Sequence, residues 1–154
     1  GIASMNHSFL MPQSMVENIF KTNVFVSFIL CREVGRIMAK NKFGRIINFT
    51  TVAVPLALEG EAIYAASKSA IETLTKILAK ELADSGITCN ALGPSPTKTD
   101  LIKNIPDEKI KQLLNRSAIN KFSNFNDISN VTDFFISEKS SMVTGQIIYL
   151  GGVS

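Results

Sequence analysis

The strongest limit on this chain is a strand, a helix and a strand that follow one another with little between them. "GRIINFTT" (44–51) is a short β-branched run opened by Gly44 and reads as a buried strand, after which Pro55 and Gly60 break the chain into a loop. From about 61 to 85 the pattern is helical. Ile71, Leu74, Leu78 and Leu82 share a face, Glu72 and Lys76 stand four apart as an expected ion pair, and Gly86 stops the helix. "ITCNALG" (87–93) is the next strand and ends at "PSPTKTD". A helix of that length returns the chain to lay a second strand parallel to the first, by a right-handed crossover.

The flanks continue the alternation. Val16, Ile19, Phe20, Val24, Phe28 and Ile29 recur at helical spacing, and Ser14 with Glu17 has the S-x-x-E form of a capping box, so a single long helix is expected from about 14 to 41. A polar, lysine-rich helix is expected at 106–116, a weaker one at 127–137, and a closing strand in "GQIIYLGG". The expected architecture is α/β: a Rossmann-like doubly wound parallel sheet in one domain over 1–154, with helices on both faces. At 154 residues and 45% apolar the chain can bury a real core.

Composition excludes several classes. The net charge of +3 is spread along the chain, with no dense basic tract of a nucleic-acid binder. The longest apolar run, "VFVSFILC", is too short to span a bilayer. Cys31 and Cys89 sit in apolar surroundings without metal-ligand spacing, so neither a disulfide nor a metal site is expected and a reducing, cytoplasmic setting fits. The opening "GIASMNHSFLMP" has no secretion-signal pattern and no initiator Met, which suggests that the sequence begins partway into something larger.

"IYAASKSA" (63–70) carries the chemistry. Tyr64 and Lys68 lie four apart on one helix face and can reach the same small molecule. A neighbouring ammonium favours the phenolate, so Lys68 is expected to lower the Tyr64 pKa toward the range useful for proton transfer. Thr50 and Thr51 end the preceding strand at the carboxyl edge of the sheet, where ligands bind in parallel α/β folds.

In order, "TNVF", "GRIINFTT", "YAASK", "NALGPSPTKTD" and "VTGQIIYLGG" resemble the short-chain dehydrogenase/reductase family over nearly the whole chain. The resemblance implies a catalytic tetrad of Asn23, Thr51, Tyr64 and Lys68. Tyr64 would exchange a proton with the substrate oxygen, Thr51 would hydrogen-bond that oxygen, Lys68 would hold the nicotinamide ribose, and Asn23 would position a water feeding protons to Lys68. Pro94, Ser95, Thr97 and Thr99, with Tyr64 and Lys68, would border an NADP or NAD cofactor, NADP being slightly favoured.

Three departures from the family pattern stand out. Thr51 replaces the usual Ser and adds a methyl that stiffens χ1. Ser95 replaces Gly after Pro94 and is less free to take unusual backbone angles. None of the nine glycines forms the Gly-rich pyrophosphate turn, and "GIA" looks like the end of the family's N-N-A-G stretch, so the first strands of the fold are expected to be absent.

The implied activity is NAD(P)-dependent reduction of a ketone or 3-oxoacyl group, or oxidation of the corresponding alcohol, in the manner of 3-oxoacyl-acyl-carrier-protein reductases. The alternative is a non-catalytic, truncated or degenerate relative acting as a partner subunit. The partners implied are a small-molecule or carrier-linked carbonyl substrate, with no nucleic acid and no membrane. Lys98, Lys103, Lys109 and Lys111 would face an acidic carrier protein or simply solvent. Val24, Phe25, Phe28 and Ile29 occupy more than one narrow stripe, which with the family habit suggests a homodimer or homotetramer packed through the helices of Asn23 and Tyr64.

Overall fold

The computed structural model describes residues 1–102 and 105–153, so Lys103 lies outside the described residues. Three parallel strands form one sheet in the order β1 (Gly44–Phe49), β2 (Ile87–Gly93), β3 (Ile147–Tyr149). The register pairs Gly44 with Ile87 and Phe49 with Leu92, then Ala91 with Ile147 and Gly93 with Tyr149. β2 is buried along its whole length, as its continuous apolar run requires, and β1 lies at a sheet edge.

Helices cover both faces. On one, α2 (Val26–Lys40) and α4 (Ala62–Glu81) enclose Cys31, Ile46, Leu78, Ala79, Ile87 and Cys89 as a core cluster. On the other, α6 (Phe125–Ile136) packs against β1 and β2 and carries the fully buried Phe135. A polar seam runs through the first layer, where Asn48 on β1 donates to the Thr75 hydroxyl at 2.9 Å and accepts from the Cys31 thiol at 3.5 Å. Both cysteines are free and buried. Gly86 turns the chain into β2 at φ +70°, where a Cβ would run into the Lys42 carbonyl, so glycine is required there.

The structure revises several expectations. The helix from about 14 to 41 is three segments: α1 (Gln13–Phe20), a π turn at Lys21–Phe25 and α2. The expected Ser14–Glu17 capping box does not form. The helix starts one residue earlier behind Pro12, whose ring presets the entry angle, and Glu17 instead accepts from Gln13 at 2.8 Å. Pro55 lies within a short helix, α3 (Ala53–Leu56), where the sequence suggested only a loop.

Glu72 does not pair with Lys76. It is turned into the protein and accepts from Thr50 and Tyr149, because its side of α4 faces the sheet. α5 (Asp107–Asn115) sits close to its expected span. α6 begins two residues early, since Asn124 and Asp127 form a reciprocal capping box.

Candidate active site

A cavity of about 690 Å³ opens at the carboxyl ends of the strands. Its floor is the end of β1 and the segment after β2, one wall is the start of α4, and α5 closes the far side. Arg116, just past α5, donates to the Leu56 carbonyl at 2.6 Å and ties that wall to α3. Thr51, Tyr64, Lys68, Pro94, Ser95, Thr97 and Thr99 all line this one cavity.

Tyr64 and Lys68 occupy the first turns of α4, and each keeps only 8% of its surface. The Lys68 ammonium donates to the Phe49 carbonyl at 2.8 Å, and burial lowers its pKa. Burial raises the Tyr64 pKa, the nearby Thr51 hydroxyl pulls it partly back, and the Glu61 charge raises it further. The expected lowering of the Tyr64 pKa by Lys68 is therefore not found. Desolvation dominates there, and the ammonium is held by a backbone carbonyl. Thr51 lies just beyond β1, and its hydroxyl accepts from the Ala53 amide at 3.2 Å.

Asn23 is not on the cavity wall but stands behind it, in the π turn, 2% exposed. Its side chain accepts from the Ile2 amide at 2.8 Å and donates to the Ile2 carbonyl at 2.9 Å and the Ser67 hydroxyl at 3.0 Å. Gly1 lies between it and Lys68, for a Cβ there would come 2.8 Å from Asn23 Oδ1 and 3.2 Å from Lys68 Nζ. Asn23 thus fastens the opening residues against α4, and a π turn at such a residue is a common mark of a functional site.

Ser95 takes no positive φ, so the change from Gly costs no backbone strain here. Its hydroxyl lies 2.5 Å from that of Ser123, and its carbonyl accepts from Thr97 at 3.0 Å. Thr97 is bridged to Ser123, while Thr99 is exposed at the cavity edge.

One residue at the cavity, Glu61, was missed from sequence. Glu61 precedes α4, lines the cavity and is 5% exposed. Its place three residues before Tyr64, one helical turn away, was the available signal. Thr50, also on the cavity wall, donates to Glu72 at 2.5 Å, and Tyr149 on β3 donates to the same oxygen at 2.6 Å.

A family profile described as enoyl-(acyl carrier protein) reductase matches residues 1–153. The chain is 36% identical over 152 residues to a 3-oxoacyl-(acyl-carrier-protein) reductase FabG of Buchnera aphidicola subsp. Schizaphis graminum, covering 99% of this chain and 62% of the relative. The FabG of Rickettsia bellii is 33% identical, with 99% and 63% covered. The chain therefore spans less than two thirds of the length of these curated relatives.

Among solved structures, a gluconate 5-dehydrogenase from Burkholderia cenocepacia in complex with NADP and tartrate superposes with a TM-score of 0.93 at 27% identity, covering 99% of this chain and 60% of that one. A 4-hydroxyisoleucine dehydrogenase mutant complexed with NADH and succinate gives 0.90 at 26%, with 99% and 64% covered.

Proposed function

We propose, from the premise that the chain belongs to the short-chain dehydrogenase/reductase family, that the protein carrying it interconverts a ketone and its secondary alcohol with NAD(P). The observation that carries this reading is the convergence of Thr51, Tyr64 and Lys68 on one cavity. A 3-oxoacyl thioester is the first substrate to test, since the curated relatives bear that name. The exposed Lys98, Lys109 and Lys111 supply positive charge that suits an acidic carrier.

The donor set fits a dinucleotide's nicotinamide end. Lys68 would hold the ribose hydroxyls, and the Pro94–Ser95 backbone with Thr97 and Thr99 would border the carboxamide and phosphates. When bound, NAD(P) supplies or accepts the hydride. In reduction the Tyr64 hydroxyl gives its proton to the carbonyl oxygen, and in oxidation it takes that proton back. Thr51 holds the same oxygen, while Asn23 fixes the opening residues beside Lys68.

This protein's raised Tyr64 pKa keeps the hydroxyl protonated at neutral pH, the form needed to donate. A cytoplasmic setting is supported by two buried free thiols. No described helix is long and apolar enough to cross a membrane.

The test follows nicotinamide absorbance in the protein that carries this chain. Tyr64→Phe is expected to lower kcat by about 100-fold or more with cofactor affinity nearly unchanged. Thr51→Ser is expected to retain or raise activity. Equal turnover by Tyr64→Phe would remove Tyr64 from the mechanism.

A further inference from the structure

Glu61 is the one carboxylate among the described residues that lines the cavity deeply buried and without a donor. It closes the start of α4 through its backbone, where its carbonyl accepts from the Ala65 amide at 2.7 Å and its amide donates to the Leu58 carbonyl at 3.2 Å. Its side chain has no such role. Oε2 is sealed and has no hydrogen-bond partner, and no ion pair reaches the carboxyl from any described residue.

Lys109, across the cavity on α5, attracts the carboxyl only through space. Its ammonium contacts the Met5 sulfur at 3.4 Å instead. Leu58, Ile105, Ile110 and Leu113 line the same cavity with apolar surface, beside the polar Gln112 and Arg116. A carboxyl left in such surroundings without a donor costs more than a paired one, and burial accordingly pushes its pKa up. The donor that the protein omits is the one a ligand can bring. Oε1 is not sealed, and it is the oxygen that a ligand in the cavity can reach.

We propose that Glu61 is a specificity-determining residue that accepts a hydrogen bond from a hydroxyl or ammonium borne by the substrate next to its reacting carbon. The preferred substrates are then hydroxy- or amino-ketones, 3-oxoacyl thioesters hydroxylated beside the ketone included, over the unfunctionalised ketone. Position supports this, for Glu61 lines the same cavity as Tyr64 and stands three residues, about one helical turn, before it. A plain ketone offers only acceptors and leaves Glu61 unpaired, the arrangement by which polar sites reject analogues lacking a hydroxyl.

The proposal rests on the carbonyl–alcohol reading, and its test separates the two. Binding of propylene glycol and of isopropanol to the full protein is measured by chemical-shift titration, and reduction of hydroxyacetone and of acetone is measured alongside. The wild type is expected to bind propylene glycol about tenfold more tightly. Glu61→Leu is expected to bring the two ligands within about twofold, and Glu61→Gln, which keeps an acceptor oxygen, to fall between.

Equal binding by the wild type, or a preference that survives in Glu61→Leu, would overturn the proposal. If Glu61→Leu does not fold, Glu61→Gln decides, and an unchanged preference there overturns it. Selective binding of propylene glycol with neither ketone reduced would leave the Glu61 contact standing and remove the oxidoreductase reading instead.

Discussion

The Lys68 ammonium donates to the Phe49 carbonyl at 2.8 Å, tying a cation on α4 to the last residue of β1 at the head of the cavity. Replacing it with Met leaves that carbonyl without its donor, a cost of about 1–3 kcal/mol, but also removes a charge that burial disfavours. The two effects oppose each other. Stability of Lys68→Met in urea is therefore expected to fall by no more than about 1 kcal/mol, while turnover falls by about 100-fold or more. A large stability loss with near-normal kcat would make Lys68 structural.

Glu72 holds two hydroxyls from two different strands' ends, Thr50 at 2.5 Å and Tyr149 at 2.6 Å. Tyr149→Phe or Thr50→Val alone leaves one donor and is expected to cost about 1–2 kcal/mol. Together they strand a buried carboxylate. The double variant should lose at least about 1 kcal/mol more than the sum, as read in a double-mutant cycle of urea denaturation midpoints. Simple additivity would show that the two hydroxyls do not share Glu72.

The chain has two tyrosines, and both are held above the ordinary value of 10. Tyr64 is raised by burial, and Tyr149 by burial and then by the Glu72 carboxylate. A group with a raised folded pKa contributes stability below its unfolded value and loses it as pH climbs through the folded one. Near pH 10 the folded chain should therefore show little phenolate absorbance, and the signal should rise together with loss of far-ultraviolet circular dichroism. Half-ionisation at pH 10 with intact ellipticity would contradict the raised values.

Burial also raises Glu61 above 4.5, with Lys109 offsetting part of the effect. The same sign applies, so the wild type is helped below pH 4.5 and loses that help as pH rises through the folded value. Glu61→Gln has no such dependence. Its melting temperature should exceed the wild type's at neutral pH, and the gap should close on acidification toward pH 4.5. A constant gap across that range would mean the carboxyl is not the source.

Along α1, the π turn and α2, Phe25 is 61%, Leu30 59% and Ile37 62% exposed, with Phe20, Val24 and Phe28 beside Phe25 in one shallow apolar groove. A patch of this kind marks an interface more often than a bare surface, and a second copy of the chain is the occupant we propose. Sedimentation at micromolar concentration is expected to show at least a dimer, and Phe25→Glu to shift it toward monomer. A wild-type monomer would refute this.

The parallel sheet was legible because β-branched runs and a crossover helix leave few topologies, and the cavity was legible because Thr51, Tyr64 and Lys68 sit at its edge by that topology. Local patterns misled where tertiary contacts overrode them. Glu72 looks like half of a surface pair with Lys76, yet its face of α4 is covered by the sheet. Ser14 has the form of a cap, but Pro12 sets the start. The Tyr64 pKa was expected to fall because helical spacing reveals the neighbouring lysine but hides how deeply both are buried.

The π turn has a consequence for how the whole N-terminal helical stretch should be drawn on a wheel. The Val26 amide bonds back to the Lys21 carbonyl, five residues away, which inserts one residue relative to α-helical winding. Each inserted residue advances the phase by about 100°. Apolar positions that share a stripe before Lys21 are therefore rotated away from those that share one after Phe25, and the broad band seen in sequence is two narrow bands out of phase. Ile19 before the turn and Cys31 after it are both buried, so each segment keeps an inward face of its own, and the groove of Phe20, Val24, Phe25 and Phe28 spans the turn. Within that one turn Asn23 is buried against the opening segment while Phe25 stands exposed.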